Sequence, residues 1–443
     1  MVNCEPLDTD SILGKNRKYT MPKPEPVTES ARIQSLDVLR GFALLGILLL
    51  NIIGFGLHSA SYFNPTVDGA TSGINLIVWG SVDVLFEGSM RCLFSILFGA
   101  GVVLFTTGSG AKSAALYYRR SFWLLMFGLL DIYLLLWLGD ILVAYAVAGA
   151  ILFLFRNRSS RWLLIASITM VLIMSAYYAA SGFGLNLLRT ASQEITSDQQ
   201  KAALSQEDRE TLDVWWNFES DFAPKVIDEE LAQRRGGFQQ NLQFNLKKSR
   251  ELFTFQMPLY SVPDALAMML LGMALFKAGV LSASRSRGFY VKMALIGFAS
   301  GLTVNLYEVV TFRQSSFDIL VGFPFVRPTY HIGRLGMATG YLGVVMLVCK
   351  MGISSWLAQR LAAVGRMALT NYLSHSLICL ILFTGVGFSL LGTLDRWMLY
   401  PIVLAIWVFQ LLISFWWLSC FKFGPVEWLW RLLTYGERPP MSR

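Results

Sequence analysis

The sequence predicts an all-α polytopic membrane protein: a bundle of about ten transmembrane helices with a small extracytoplasmic helical insert and a C-terminal interfacial helix. Hydrophobic residues make up 54% of the 443 residues, charged residues make up only 15%, and the mean hydropathy is +0.51. A soluble globular protein carries about 25% charged residues. So few charges cannot cover so much apolar surface in water, which excludes a soluble enzyme, a coiled coil and a disordered chain.

Charge and cysteine usage exclude two further classes of protein. The net charge of +8 comes from lysines and arginines spread over many short segments, so we expect no nucleic-acid partner. This distribution instead matches the basic loops that orient a membrane protein. Five cysteines without metal-ligand spacing and only three histidines predict neither a disulfide framework nor a bound metal.

The chain begins with a polar segment, and the apolar segments follow it. Residues 1–36 lack the apolar core of a signal peptide and are interpreted as a disordered cytoplasmic head. Residues 37–184 hold spans 1 to 5, and residues 257–420 hold spans 6 to 10. Each run is near the length of about 17–25 residues that crosses a bilayer. The ten runs lie near 38–57, 91–107, 120–137, 138–155, 162–183, 257–276, 289–310, 332–350, 368–385 and 397–420. Gly73–Phe86 is too interrupted for a span and reads as a re-entrant or interfacial helix.

The positions of lysine and arginine along the chain predict how the protein is oriented in the membrane. If the N-terminus is inside, nearly every basic segment falls on the inner side, and ten spans bring the C-terminus back there. The short outer segments then hold only a few arginines: Arg313, Arg327, Arg334 and Arg396, with Arg91 at the edge of a span. The sequence therefore predicts a multi-pass protein of the bacterial cytoplasmic membrane with both termini cytoplasmic.

The composition of two segments outside the spans predicts their structure. Residues 185–256 are hydrophilic and follow span 5, so we expect a small helical cap on the outer face, either a stabilising element or a lid. Residues 421–443 include an amphipathic stretch, in which Val426, Leu429, Trp430 and Leu433 follow helical spacing. This tail is interpreted as an interfacial anchor on the inner face, in contact with membrane lipid.

Ionisable residues inside spans cost roughly 2.5–3.5 kcal/mol each on insertion scales and are candidates for function. Four groups stand out: Asp37 with Arg40, the stripe Asp83, Glu87 and Arg91, the acids Asp131 and Asp140, and Asn371 with His375. Each has a purely structural alternative, such as a charged helix start, an ion pair between helices or a hydrogen-bonded helix contact. The sequence alone does not choose between these alternatives.

Several blocks in order resemble the YeiB-like family of bacterial inner-membrane proteins, which carries the domain of unknown function 418. They are Ser35-Leu36-Asp37-Val38-Leu39-Arg40-Gly41, Gly46–Ile52, Leu93–Gly101, Gly139–Leu142, Gly365–Leu373 and Gly424–Arg431. The first span also resembles that of transmembrane acyltransferases, including the heparan-α-glucosaminide N-acetyltransferase family. That family has asparagine at the spacing of Asn51 and a catalytic histidine in the following loop, where this chain has His58.

The resemblance implies acyl transfer from cytoplasmic acyl-CoA to an extracytoplasmic glycan or lipid. His58, or a carboxylate such as Asp131, would take the acceptor proton, and Asn51 would hold the thioester carbonyl. Arg40, with Asp37 beside it, and Arg120 and Arg366 would meet the CoA phosphates. Two alternatives remain open: a proton-coupled transporter that uses Asp131, Asp140 and Glu308, and a non-catalytic membrane component. The interpretation leaves room for a homo-oligomer.

Overall fold

Helices make up 81% of the residues that the structure describes. The structure is a computed structural model and describes residues 34–106, 113–195, 197–322, 327–352 and 356–442. In these ranges the only β-type pairing is an isolated bridge between Phe421 and Ser442. The predicted head lies outside the described residues up to residue 33, and the first helix begins at Gln34. The all-α fold class is confirmed.

The first half of the chain forms six long helices. They are α1 (Gln34–Gly56), α2 (Gly73–Phe86), α3 (Ser89–Thr106), α4 (Ala114–Tyr133), α5 (Leu142–Leu152) and α6 (Ser160–Gln193). The predicted re-entrant or interfacial segment is α2, and only Glu87 and Gly88 separate it from α3. Gly88 has a left-handed backbone (φ 64°), which interrupts the helix at that point.

Four helices and a π-helical segment follow α6. They are α7 (Asp198–Ala203), α8 (Gln206–Ser220), α9 (Pro224–Arg234) and α10 (Phe238–Glu251), then the π-helix Leu252–Ser261. The predicted insert is therefore helical. Its expected limits, 185 and 256, fall inside continuous helices, because helical hydrogen bonding does not stop at a change from apolar to polar side chains.

The second half of the chain repeats the pattern of long helices. It consists of α11 (Val262–Lys277), α12 (Arg287–Gln314), α13 (Ile319–Gly322), α14 (Tyr330–Lys350), α15 (Trp356–Arg366), α16 (Ala368–Phe383), α17 (Leu399–Cys420) and α18 (Pro425–Tyr435). The axes of α15 and α16 meet at 82°. The predicted amphipathic tail helix is α18.

Among the described residues, seven helices are long and apolar enough to cross a membrane, and the bent pair α15–α16 raises the number to at most eight. The seven are Gln34–Gly56, Gly73–Thr106, Ser160–Gln193, Phe238–Lys277, Arg287–Gln314, Tyr330–Lys350 and Arg396–Cys420. With the bent pair counted as one span, the two predicted spans that remain are α4 and α5, which pack against each other. Arg119, Arg120 and Asp131 interrupt the apolar surface of α4, and α5 has only 11 residues. The coarse prediction of a multi-span membrane bundle holds.

The segments that join the helices meet in two groups. One group surrounds the start of α1 and is called the basic end: Ser35 Oγ donates to the Leu281 carbonyl, and Lys277 Nζ donates to the carbonyls of Arg156 and Arg158. The other surrounds the close of α1 and is called the insert end. There the Gly392 N–H donates to the Gly56 carbonyl.

Glycine lets the central helices approach closely. A Cβ on Gly365 of α15 would overlap the backbone of Asp37 and Gly41 on α1, and a Cβ on Gly99 of α3 would overlap the backbone of Met269 on α11. These contacts are typical of packing between membrane helices, where small residues let backbones meet. They fix the positions of the polar side chains that α1, α3 and α11 carry.

Candidate functional site

The basic end gathers the four residues assigned to the acyl donor. Arg40 Nη1 donates to Asp37 Oδ1 (3.0 Å) and to the Gly365 carbonyl oxygen (3.4 Å). Arg366 follows Gly365 directly at the close of α15. The Arg40 side chain is 27% exposed, so its guanidinium remains accessible to solvent beside this contact.

Arg120 joins the same end from α4. Its guanidinium lies 3.9 Å from the centre of the Trp430 ring on α18, and it is within electrostatic range of both Arg40 and Arg431. Arg120 thus lies within electrostatic range of one cation from α1, which is paired with Asp37, and of one cation from α18. Converging like charges raise the local potential, and that potential attracts an anion such as a phosphate.

Hydrogen bonds from α16 to Glu427 attach α18 to the basic end. Glu427 Oε1 accepts from the backbone N–H groups of Leu369 (2.6 Å) and Thr370 (3.0 Å), and its Oε2 accepts from Thr370 Oγ (2.6 Å). A carboxylate at the first turn of α16 also complements the helix dipole. Burial raises the pKa of Glu427 above its usual value, although these hydrogen bonds oppose the shift.

Asp131 and Asp140 meet inside the bundle. Asp131 is fully buried beside Asp140 and Ser376, and neither of its carboxylate oxygens has hydrogen-bonding geometry to another described residue. Asp140 Oδ2 accepts from the Val143 N–H (2.8 Å), which starts α5, and its Oδ1 accepts from the Tyr372 hydroxyl (3.4 Å). Two acids this close repel each other when both are charged, so the pair is suited to binding a proton or a cation.

His58 lies at the insert end, in the loop that follows α1. Its Nε2 is 3.1 Å from Ser61 Oγ, and the ring is 4% exposed. Burial lowers the pKa of His58, against the opposing charges of Glu230 and Asp68. The ring is therefore neutral at neutral pH and has a nitrogen that can accept a proton.

Helix α9 of the insert covers this loop. Glu230 accepts from the Ser59 N–H (2.9 Å) and hydroxyl (2.6 Å), and Arg234 donates to the carbonyls of Gly54 (2.6 Å) and Leu57. Burial raises the pKa of Glu230, but the Arg234 guanidinium and the Ser59 hydrogen bonds outweigh it, so the net pKa falls. The insert therefore holds the loop after α1 through charged hydrogen bonds.

The three residues assigned to catalysis do not form one cluster. Asn51 lies in the second half of α1, five positions before the helix ends at Gly56, and His58 follows in the loop. Asn51 is partly exposed although Ile52 beside it is fully buried. Asp131 belongs to the pair between α4 and the start of α5. The structure thus places the histidine in the loop after α1, the asparagine on α1 and the acid in a separate buried pair.

A second polar cluster was only partly anticipated. Arg334 on α14 makes a bidentate ion pair with Asp264 on α11, and Arg91 on α3 donates to the Tyr330 hydroxyl (3.1 Å). Tyr330 in turn donates to Glu87 (3.3 Å), immediately before the interruption between α2 and α3. The sequence analysis predicted the Glu87–Arg91 stripe but missed Asp264.

Arg334 corrects one sequence-based assignment. It was assigned to a short outer segment, yet it lies inside α14, where its side chain is 1% exposed. Arg396 lies in the short connection before α17, as assigned, but its side chain is 4% exposed because it pairs with Asp68. The sequence did indicate that Arg334 and Asp264 are unusual, because each is a charged residue inside an apolar run. The distances between helices that pair them are not visible in the sequence.

His375 belongs to a hydrogen-bonded helix contact. Its Nε2 lies 2.9 Å from Gln410 Oε1 on α17, and Gln410 Nε2 donates to the Asn371 carbonyl (3.0 Å). Asn371 also donates to Ser414 Oγ (3.0 Å). This network joins α16 to α17 and matches the structural alternative for Asn371 and His375. Across the described residues, no group of three or more metal-ligating side chains is assembled.

Comparisons with known proteins place the chain among proteins without an assigned activity. The family model described as protein of unknown function (DUF418) matches residues 275–437. The uncharacterized protein YeiB of Escherichia coli (strain K12) is 30% identical over 92% of this chain and 97% of its own length. The uncharacterized protein YxaH of Bacillus subtilis (strain 168) is 29% identical over 96% of this chain and 99% of its own length.

No solved structure matches the chain. The matches to YeiB and YxaH cover the first half as well as the second, so they include α1, the insert and the polar clusters described above. The sequence-based resemblance to a YeiB-like family is confirmed, and this chain belongs to the DUF418 family.

Proposed function

We propose that this protein is a transmembrane acyltransferase that moves an acyl group from cytoplasmic acyl-CoA to an extracytoplasmic glycan or lipid. The observation that carries the proposal is the convergence of Arg40, Arg120 and Arg431 at the basic end. CoA carries several phosphate charges, and guanidinium groups bind phosphate through parallel N–H donors. The YeiB-like relatives supply no activity, so the proposal depends on the site itself.

Acyl transfer across the membrane requires a defined orientation of the two ends of the bundle. The basic end faces the cytoplasm of a bacterial inner membrane, since loops rich in lysine and arginine stay inside. Ten spans, with α4 and α5 forming two of them, then put both termini in the cytoplasm and the insert outside. Acyl-CoA and the acceptor would reach the bundle from opposite ends.

The residues between the two ends would carry the transfer. The acceptor hydroxyl or amine attacks the thioester carbonyl, and its proton goes to Asp131 or, nearer the insert end, to His58. Asn51 donates a hydrogen bond to the developing oxyanion. The C–S bond breaks as the new C–O or C–N bond forms, and the CoA thiolate leaves and recovers a proton.

Acyl-CoA binding tests the proposal. We expect acetyl-CoA or a longer acyl-CoA to raise the apparent melting temperature of the solubilised protein saturably, and Arg40→Gln to abolish the shift. Arg287→Gln is the matched control, because Arg287 is an exposed arginine at the start of α12. If acyl-CoA fails to shift folded wild-type protein, or if both variants lose the shift equally, the donor site is not at Arg40.

One observation favours a second candidate function, proton-coupled transport of a small solute. The Asp131–Asp140 pair has no cation among its described neighbours, and α2–α3 is interrupted beside Glu87. Intramembrane acids and interrupted helices are common in secondary transporters. Proteoliposomes with an imposed proton gradient would distinguish the two: a transporter accumulates an unmodified solute, whereas the transferase yields a covalent product.

A further inference from the structure

Arg91 occupies an unusual position for an intramembrane arginine. It lies on α3, which packs against α1, α5, α11 and α14, so its neighbours are protein on several sides. Met90 beside it packs against Gly46, twelve residues into the 23-residue α1. Arg91 is thus near mid-length of the bundle, yet its side chain is 45% exposed. Nearly half of the Arg91 side chain therefore has no protein packed against it.

The guanidinium of Arg91 has more donors than partners. Its Nη2 donates to the Tyr330 hydroxyl, and its Nε lies 3.9 Å from Asp264, beyond hydrogen-bonding distance. The carboxylate of Asp264 is instead engaged on both oxygens by Arg334. An arginine presents five N–H donors, so most of those of Arg91 are available to a ligand.

Other buried donors around the cluster also lack partners. His331 is fully buried against Tyr178, and neither ring nitrogen has a hydrogen-bond partner in the described part of the chain. The same is true of Nε of Arg334, whose residue is 1% exposed. Buried polar atoms are normally hydrogen-bonded. These polar atoms leave hydrogen-bonding capacity beside the ion pair, which a ligand or an ordered water can fill.

We propose that Arg91 is the anchor of a binding site for the anionic oxygen group of a ligand, a phosphate or a carboxylate. Planar guanidinium donors match both groups, and the position in the first turn of α3 adds the favourable helix dipole. Glu87 accepts a hydrogen bond from Tyr330 at the edge of the same site. Its negative charge repels a bound anion and therefore lowers the affinity of the site for that anion. Tyr62, in the loop after α1, lies within electrostatic range of both Glu87 and Arg91.

This site does not depend on the acyl-donor proposal. It lies near the middle of the bundle, whereas Arg40, Arg120 and Arg366 lie at the basic end. A ligand entering past Tyr62 would come from the insert end. The anionic group belongs either to a soluble molecule or to a lipid headgroup, and the two sources share the same chemistry at Arg91.

Arginine modification tests the site directly. We would treat protein in neutral detergent with phenylglyoxal and follow each arginine by peptide mass spectrometry, with inorganic phosphate or acetate as the competing anion. Arg91 should be modified, and either anion should slow its modification several-fold. The exposed Arg209 on α8 is the internal control, whose modification should not change. Glu87→Gln should strengthen the protection of Arg91.

Two further arms separate the sources of the anion. Nanodiscs of phosphatidylglycerol that protect Arg91 without added phosphate, where phosphatidylcholine nanodiscs do not, would assign an anionic lipid as the occupant. Protection by phosphate or acetate in detergent would assign a soluble ligand. If Arg91 remains unmodified while Arg209 reacts, the Arg91 side chain is not accessible to a ligand. If Arg91 reacts equally fast under every condition, it binds no anion, and either result overturns the proposal.

Discussion

Asp131 and Asp140 differ in what each contributes to the fold, although they form one pair. Asp140 accepts the Val143 N–H at the start of α5, whereas Asp131 is fully buried beside the side chains of Ser376 and Asp140. A buried carboxyl that holds no backbone group in place is a candidate for chemistry rather than for structure. The two acids can therefore be separated by measuring stability together with activity.

Substituting each acid tests this difference. We expect Asp131→Asn to keep or raise the apparent melting temperature, because it removes repulsion within the pair, while it abolishes any acyl transfer. Asp140→Ala should lose about 1 kcal/mol, the usual cost of removing a helix cap. Thermal unfolding of both variants in the same detergent tests whether Asp131→Asn has the higher melting temperature. A lower melting temperature for Asp131→Asn than for Asp140→Ala would contradict it.

His58 gives the insert end a pH dependence. Its folded pKa is lower than the usual 6.5, so the unfolded chain binds the proton more readily. Stability is therefore fully present above about pH 6.5 and falls as the pH drops towards the folded pKa. We expect the melting temperature of the wild type to fall between about pH 7 and pH 5 by more than that of His58→Gln. Equal pH profiles would show that His58 is not buried as a neutral ring.

Helix crossings depend on glycines that the sequence does not distinguish from one another. Gly99 and Gly101 both lie on α3, yet a Cβ on Gly99 would overlap the Met269 backbone, whereas Gly101 has open space. We expect Gly99→Ala to destabilise the protein by about 1–3 kcal/mol, the usual cost of overpacking. Gly101→Ala is the matched control and should be neutral or stabilising, since alanine favours a helix over glycine. Equal melting temperatures would mean that α3 and α11 do not cross at Gly99.

The attachment of α18 includes the partly buried carboxyl of Glu427. Its folded pKa is raised by burial, so the charged form costs stability as the pH rises above the usual value of 4.5. Glu427→Gln keeps an oxygen for the N–H groups of Leu369 and Thr370 and should destabilise less than Glu427→Ala at neutral pH. The protease sensitivity of residues 421–442 reports release of α18. A glutamine variant as sensitive as the alanine variant would contradict the role of these hydrogen bonds.

The topology of the whole molecule predicts opposite exposure for two sites. Cys420 is exposed at the close of α17, near the basic end, and Asp213 is exposed on α8 of the insert. In a Cys4→Ser, Cys349→Ser background, a membrane-impermeant maleimide should label Cys420 only in inside-out vesicles. Asp213→Cys, introduced with Cys420→Ser, should be labelled only in right-side-out vesicles. Labelling of both sites from the same side would overturn the proposed orientation.

The sequence predicted the features that depend on local pattern. Apolar runs predicted the long helices, helical spacing predicted α18, and the charged stripe pointed to Glu87 and Arg91. Features that depend on packing between distant segments were missed. Asp264 and Arg334 are 70 positions apart and pair only because α11 and α14 both pack against α3. The helical segment from α10 to α11 also continues through residue 256, where the sequence predicted a boundary, because a change from polar to apolar side chains does not end a helix.

The central claim is that an acyl group crosses from the basic end to an acceptor at the insert end. The most direct measurement supplies acyl-labelled acyl-CoA to the cytoplasmic face of sealed membrane vesicles that contain the protein, and follows the label into extracted lipids and glycans. We predict that the label appears in a luminal acceptor with the wild type and is lost with Asp131→Asn and with Arg40→Gln, but retained with Arg287→Gln. If the label stays in CoA with wild-type protein, or if both the catalytic and the control variants transfer it equally, the account of acyl transfer is wrong.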